Sequence, residues 1–514
     1  MIGRKTCVAL LVGIAAIGYR NINKGKTYRN NLKTWKEPDV QFKTPTPMDQ
    51  SMLYKTVPEI TDPLEVQAGA DTIPNWLTGT LLRDGPGLFE FGAEVALHAF
   101  DGMAMIRRYH VNQGHSLNFS RKLIESDILR ENRKEARFTK YGVGTPAKTT
   151  PLDRLKVIGQ PGADNVVVQS LNLFGHIYAS TELPQVIEYD PITLKTLGKV
   201  DISDRIPGIQ LMTPHPMYDQ DGTMWNVAMA RGPDRHGKST GFNVWRYVIF
   251  KVTPPQTEEE RRDPWLNLEI VSELGSSRAL SISYLHSFFM TERYLIFTEQ
   301  PWIFGCLPEV LYKHVWQGKN YGASMSWDAG SMLGFHVLEK STGIIKSTKY
   351  EGDPMGFYHI FNAYEEDGFL ILDAPFKAVP ISYEVFYVEQ LAGSPDSLRD
   401  YMISNGPAAG LAKRWVLPLT VPETFTPPEE LKKTVDGLID PNSYQLLTSL
   451  KTTAARAWHV GNDTVYLQPE LLAPPEQLEY HRAIEFVAIN PKHAGKKYRY
   501  SPHKCTYISD PKIS

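Results

Sequence analysis

From about residue 60 onward, hydrophobic positions along this chain come in short runs cut by Gly, Pro, Asn and Asp, and helical periodicity is brief and rare. Short apolar runs bounded by turn residues predict strands. Three of them share one layout: His215-Pro-Met-Tyr-Asp-Gln-Asp-Gly-Thr-Met-Trp-Asn, His286-Ser-Phe-Phe-Met-Thr-Glu-Arg-Tyr-Leu-Ile-Phe and His359-Ile-Phe-Asn-Ala-Tyr-Glu-Glu-Asp-Gly-Phe-Leu-Ile-Leu. In each, a turn (Asp221-Gly222, Glu292-Arg293, Asp367-Gly368) separates the histidine's own strand from a returning apolar one, which is a hairpin signature. The histidines are 71 and 73 residues apart. A histidine at the same place on successive repeats faces a common axis, so the spacing predicts one metal site built by a repeating fold.

Further hairpins are legible in Val186-Ile-Glu-Tyr-Asp-Pro-Ile-Thr-Leu, Phe335-His-Val-Leu-Glu-Lys-Ser-Thr-Gly-Ile-Ile and Phe486-Val-Ala-Ile-Asn-Pro. Together they suggest β-sheet blades of roughly 70 residues, long for a four-stranded propeller blade but compatible with insertions. Seven such units nearly account for the 514 residues. The stretches Thr253 to Asp263 and Pro422 to Lys433 are expected to be loop insertions between blades, the second with room for a short helix. Residues 1–40 stand apart. Arg4, Lys5, Arg20, Lys24, Lys26, Arg29, Lys33 and Lys36 are basic, no acidic residue precedes Glu37, and Cys7 to Gly18 is apolar. The acid-free basic character fits a mitochondrial presequence and the compact apolar run a secretory signal or short membrane anchor, the run being shorter than the roughly 20 residues a spanning helix requires. The compartment expected is therefore mitochondrial, or cytoplasmic with membrane association.

Composition adds limits. With 42% hydrophobic, 11% aromatic and 22% charged residues the chain has ample core for one large domain. A net charge of −2 gives no reason to expect a nucleic-acid partner, which requires a basic surface. The three cysteines, Cys7, Cys306 and Cys505, are too few and scattered for a disulfide framework or a cysteine metal site. Any metal chemistry rests on histidine, and neutral imidazoles with open positions suit Fe(II), Zn or Cu; spacing alone does not choose among them.

Several motifs, taken jointly, decide a family. These are Leu82-Arg83-Asp84-Gly85-Pro86-Gly87 with Phe89-Glu90, His98-Ala-Phe100-Asp101-Gly102-Met103, Thr181-Glu182, Pro214-His215-Pro216, His286-Ser287-Phe288 through Glu299-Gln300-Pro301, and His359 through Asn362-Ala-Tyr-Glu-Glu-Asp-Gly-Phe. Over residues 60 to 500 the chain resembles the carotenoid cleavage oxygenases, which include animal β-carotene oxygenases and the retinoid isomerohydrolase. The resemblance implies an all-β, seven-bladed β-propeller at 55–500, with loop and helix insertions forming a cap over an iron axis. It implies Fe(2+) on His215, His286 and His359, and Glu182 and Glu485 hydrogen-bonding the imidazoles from behind, where a carboxylate fixes a ligand's tautomer. His98 matches no ligand position and is read as structural, and Gly85-Pro86-Gly87 and Phe100-Asp101-Gly102 as turns.

The family's fourth histidine, near the C-terminus and followed by Gly, has no counterpart here. Residues 501–514 carry no family likeness, His503 lacks the matching context, and an incomplete last blade with a three-histidine site is expected. The resemblance further implies a carotenoid or apocarotenoid substrate, O2 as co-substrate, and peripheral membrane contact through an apolar stretch at Trp302, Ile303, Phe304, Leu307 and Leu311. The activity it implies is oxidative cleavage of a conjugated double bond to aldehydes. The alternatives are a metal-poor form that binds carotenoid without turnover, and isomerohydrolase chemistry on a retinyl ester.

Overall fold

The computed structural model describes residues 53–498 except 68–72, 114–115, 141, 147–149, 157–161, 235–244, 279, 306–308, 321, 378–385, 394–409, 423–444, 462, 473–483 and 486–488, plus the backbone of Lys504–Cys505. The expected N-terminal segment, Cys7, Cys306, Leu307, nearly all of the Pro422 to Lys433 insertion, and His503 lie outside the described residues.

Five antiparallel sheets follow one another along the chain, built mostly from strands that are neighbours in sequence. The first joins Ile60–Gln67, Ser116–Leu123, Met103–Asn112 and Gly79–Arg83; the second Thr196–Asp201, Gln185–Tyr189, His176–Ser180 and Gln169–Leu173. The third joins Ile209–Met212, Met224–Arg231, Trp245–Val252 and Leu268–Gly275. The fourth runs through Phe289–Met290, Tyr294–Glu299, Leu333–Glu339 and Lys349–Gly352, and the fifth through Asn362–Glu366, Phe369–Phe376, Leu411–Pro418 and Glu470–Leu471. A last hairpin, Arg456–Gly461 with Thr464–Gln468, joins the outer edge of the fourth sheet by parallel pairing of Thr464–Gln468 with Lys349–Gly352. These sheets are the blades of the all-β propeller expected from the hairpin repeat.

The blades stack face to face, and the core lies between them. Ile106, Ile124, Ile187 and Tyr189 fill the space between blades one and two, and Leu171, Tyr178, Val248, Phe250 and Trp265 that between two and three. Trp225, Tyr247, Phe288 and Phe297 do the same between three and four, and Phe335, Tyr350, Phe376 and Trp415 between four and five. Inner strands such as Met224–Arg231 are covered on both faces and are mainly apolar, with Asn226 a buried polar exception. Peripheral strands such as Arg456–Gly461 alternate, with one buried side.

Three insertions meet on one end and form the cap. Between Tyr294–Glu299 and Leu333–Glu339 of blade four the chain inserts Trp302–Phe304, a π-helical turn, Val310–Trp316, and Ser326–Trp327; Trp302–Phe304 pairs with Ser326–Trp327 and with Ile282–Ser283 from the connection that enters the blade. Helix Pro151–Lys156 docks on that turn, with Arg154 Nη1 donating to the Val315 carbonyl at 2.8 Å. Asn320 Nδ2 donates to the Gly144 carbonyl (2.8 Å) and to Tyr387 Oη (2.7 Å). His98 is fully buried, its Nδ1 accepting from Phe100 N–H, as a structural role requires. Asp101 does more than make a turn. Its carboxylate accepts from the N–H groups of Val143, Gly144 and Thr145 and ties the cap to blade one.

Two local expectations are corrected. Thr253 to Asp263 is not all loop: Thr257 and Glu260 form a capping box that starts helix Glu258–Arg262. Gly85-Pro86-Gly87 is not a free turn, because Pro86–Leu88 pairs with Met103 and Ala104.

Candidate metal centre

Each histidine of the repeated layout sits just ahead of the inner strand of its hairpin: His215 before Met217–Tyr218, His286 before Phe289–Met290, His359 before Asn362–Glu366. Each imidazole is therefore carried by the connection entering the strand, where side chains are free of the strand's alternation, and not by the strand itself. The turns close as read. Gly222 (φ +87°), Asp367 (φ +48°) and Gly368 (φ +83°) take the left-handed conformations that tight hairpins demand. Pro214 and Pro216 restrict the backbone on either side of His215. Gln300, fully buried, accepts from Phe357 N–H at 2.9 Å and donates to its carbonyl at 3.3 Å, fixing the stretch of chain that delivers His359.

The three imidazoles converge. His215 Nε2 lies 3.0 Å from His286 Nε2, which lies 3.3 Å from His359 Nε2. Among the described residues this is the one group of three or more His, Cys, Asp or Glu whose ligand atoms, all within 4.8 Å of one another, suit a metal ion.

The far side of two rings is engaged. His286 Nδ1 lies 2.6 Å from Glu182 Oε1, which also accepts from the Tyr284 hydroxyl, and His215 Nδ1 lies 2.9 Å from Gln169 Oε1. Both partners are acceptors, so the ring protons reside on Nδ1 and the Nε2 lone pairs face one another. Burial, followed by the neighbouring His286 and His359, holds His215 well below its ordinary pKa; burial and then His359 do the same for His286. Burial pushes the Glu182 carboxyl up to about 7, against the lowering effect first of the Tyr284 hydroxyl and then of His359.

The Nε2 atoms of neutral His215 and His286, 3.0 Å apart with their lone pairs facing, repel one another unless a cation lies between them. The donor set therefore fits a divalent transition metal, and a carboxylate behind one ligand is the usual support of such a site. Of the residues expected here, the structure brings together His215, His286, His359 and Glu182. Glu485 is on a two-residue strand, Ile484–Glu485, paired with Lys504–Cys505; its side chain lies outside the described residues.

The expected membrane stretch is only partly on the surface. Trp302 is buried, its ring between Tyr284 (4.5 Å) and Tyr358 (5.1 Å), because it forms the floor of the cap beside His286. Ile303, Phe304 and Leu311 are half-buried. The exposed apolar residues nearby are Tyr312 (59%) and Trp316 (76%) on the π-helical turn and Leu152 (70%) and Leu155 (51%) on the helix docked against it.

Gln169, Tyr284 and the aromatic Tyr358 are site residues that the sequence did not announce. Gln169 opens a strand after Val166, Val167 and Val168, and a polar residue ending an apolar run was its only signal. Tyr284, two residues before a ligand, carried none that a core tyrosine would not.

A family model described as retinal pigment epithelial membrane protein matches residues 54–503. The chain belongs to that family, the carotenoid cleavage oxygenases. Among relatives of this family, rat beta,beta-carotene 15,15'-dioxygenase is 29% identical over 439 residues, covering 84% of this chain and 70% of that protein. The human mitochondrial carotenoid-cleaving dioxygenase is 31% identical over 445 residues, covering 83% and 70%. The fold is shared with a mutant of Synechocystis apocarotenoid oxygenase (TM-score 0.59, 19% identity, 90% of this chain and 79% of that one). It is shared too with the cobalt-substituted Synechocystis enzyme (TM-score 0.60, 19% identity, 88% and 78%).

Proposed function

We propose that this chain is a non-haem Fe(II) dioxygenase that cleaves a conjugated double bond of a carotenoid or apocarotenoid into two carbonyl products. The observation that carries the reading is the convergence of three imidazoles, His215 and His286 among them held neutral and met from behind by an acceptor, in a chain of the carotenoid cleavage oxygenase family. Fe(II) suits such a donor set and, when bound, supplies the activation of dioxygen that organic groups of the protein lack.

The protein's own part is to bind, orient and exclude water. His215, His286 and His359 would hold the ion, Glu182 would keep the His286 proton on Nδ1, and the Tyr284 hydroxyl would hold the carboxylate in place. An aromatic line supports a polyene substrate: His286 to Tyr358 is 5.3 Å between ring centres, Tyr358 to Phe386 6.3 Å, and Phe386 to Phe100 5.1 Å. Phe100 is 39% exposed, so the line leads from the histidines toward the surface. Ring faces of this kind bind a flat conjugated chain without hydrogen bonds, and the depth at which it rests selects the bond presented. One oxygen atom of O2 enters each aldehyde and the carbon–carbon double bond breaks, so no protein acid or base is consumed.

Labelled dioxygen tests this. Iron-loaded protein given β-carotene and ¹⁸O₂ is expected to yield aldehydes carrying the label in both fragments, and His286→Ala to yield none. Unlabelled retinol from a retinyl ester would replace the reading with isomerohydrolase chemistry. Carotenoid retained without cleavage, on protein with iron well below one per chain, would make the protein a binder.

A further inference from the structure

The groups behind His286 and His215 differ in charge. His286 has a carboxylate, that of Glu182; His215 has the side-chain amide of Gln169 at 2.9 Å. Gln169 belongs to the first strand of blade two, opposite Ser180, and Glu182 follows Ser180 two residues later, so one hairpin supplies both. The Ser180 hydroxyl donates to the Gln169 carbonyl (3.1 Å) and fixes the backbone from which the amide reaches out.

An amide can meet an imidazole in two ways. If its oxygen accepts from Nδ1–H, the Nε2 lone pair faces the other two histidines. If its NH₂ donates to Nδ1, the proton moves to Nε2 and blocks that nitrogen as a ligand. The contact in the structure is the first arrangement.

We infer that Gln169 is a positioning residue of the metal site, the neutral counterpart of Glu182, which holds His215 as the Nδ1–H tautomer with Nε2 directed at the ion. This rests on the metal-site reading above. The His215 leg is then oriented without being made more basic, because an amide oxygen brings no negative charge. Removing the acceptor frees the ring to turn and to adopt the other tautomer; supplying a carboxylate there strengthens the leg. Loss of a ligand's outer partner typically costs 10- to 100-fold in metal affinity.

The test is Co(II) titration of the full-length, metal-stripped chain and of Gln169→Leu and Gln169→Glu, read by the visible spectrum of bound cobalt and its dissociation constant. ¹⁵N NMR of the metal-free histidines reports the tautomer, which a purely structural role would not move. Gln169→Leu is expected to weaken Co(II) binding about 10- to 100-fold and to lose the Nδ1–H signature of His215. Gln169→Glu is expected to restore both, with affinity at or above the starting protein, which also shows that the strand tolerates substitution. Equal affinity and an unchanged tautomer in Gln169→Leu would overturn the inference, as would weakening that Gln169→Glu fails to rescue. No Co(II) binding by the unaltered chain would overturn the metal-site reading and this one with it, whereas binding without carotenoid cleavage would reject only the proposed activity.

Discussion

Among single residues, Glu182, His286 beside it and His215 carry the sharpest expectations. Glu182→Gln keeps the shape behind His286 and removes the charge, so metal affinity should fall by about one to two orders of magnitude, measured by competitive chelation. Acidity gives a second handle on the metal-free protein. His215 and His286 stay neutral in the fold but gain protons in the unfolded chain below the ordinary 6.5, so their contribution is present above that pH and lost as pH falls. Glu182 acts the other way: held near 7 in the fold, it contributes fully below the ordinary 4.5 and loses that contribution as pH rises through about 7. Between 4.5 and 6.5 the unfolded state holds two of these protons and the fold one. Stability should therefore fall toward acid by about 1.4 kcal/mol per pH unit, and Glu182→Gln should roughly double that slope. Denaturant midpoints across the pH range decide it; a slope unaltered by the substitution would mean that Glu182 does not take up the proton.

Elements are where reading the sequence succeeded most, and the reason is local. Hairpins announce themselves through Asp221-Gly222 and Asp367-Gly368, in which Gly222, Asp367 and Gly368 take left-handed backbones that few residues other than Gly, Asn and Asp adopt. What the turns did not reveal is that the histidine belongs to the entering connection, since a shift of two or three residues relative to a strand leaves no mark in composition. Gln169 and Tyr284 were illegible for a different reason: their roles depend on which blades become neighbours. Between blades, packing is tight enough to be tested at a residue without a side chain. A Cβ on Gly352 would lie 2.4 Å from the Trp415 ring and 3.2 Å from the Leu467 carbonyl. Gly352→Ala should cost about 1–3 kcal/mol by overpacking, seen as a lower Tm, whereas Gly198→Ala, with open space at its Cβ, should be close to neutral.

For the molecule as a whole, the cap's exposed aromatics suggest a lipid-facing side. Tyr312, Trp316, Leu152 and Leu155 project from adjoining elements, a mixture suited to the interface of a bilayer, and no helix among the described residues is long and apolar enough to cross one. Trp316→Ser with Leu152→Ser should lower flotation with phosphatidylcholine vesicles several-fold while leaving Tm unchanged; equal flotation would dismiss this side as the contact. The overall plan was legible because a histidine that returns after 71 and then 73 residues, each time ahead of a hairpin, requires a repeating unit of that length. Blade pairings such as Lys349–Gly352 with Thr464–Gln468 were not legible, being parallel contacts between strands more than a hundred residues apart. The recurrence has a kinetic corollary. An ion held by His215, His286 and His359 would be gripped by three blades and would staple two long loops, each worth about 4 kcal/mol of chain entropy by loop-closure arithmetic. Stripping it should lower Tm and hasten unfolding, and refolding with metal present from the outset should outpace refolding followed by loading, because the staple can then set while the blades are still assembling.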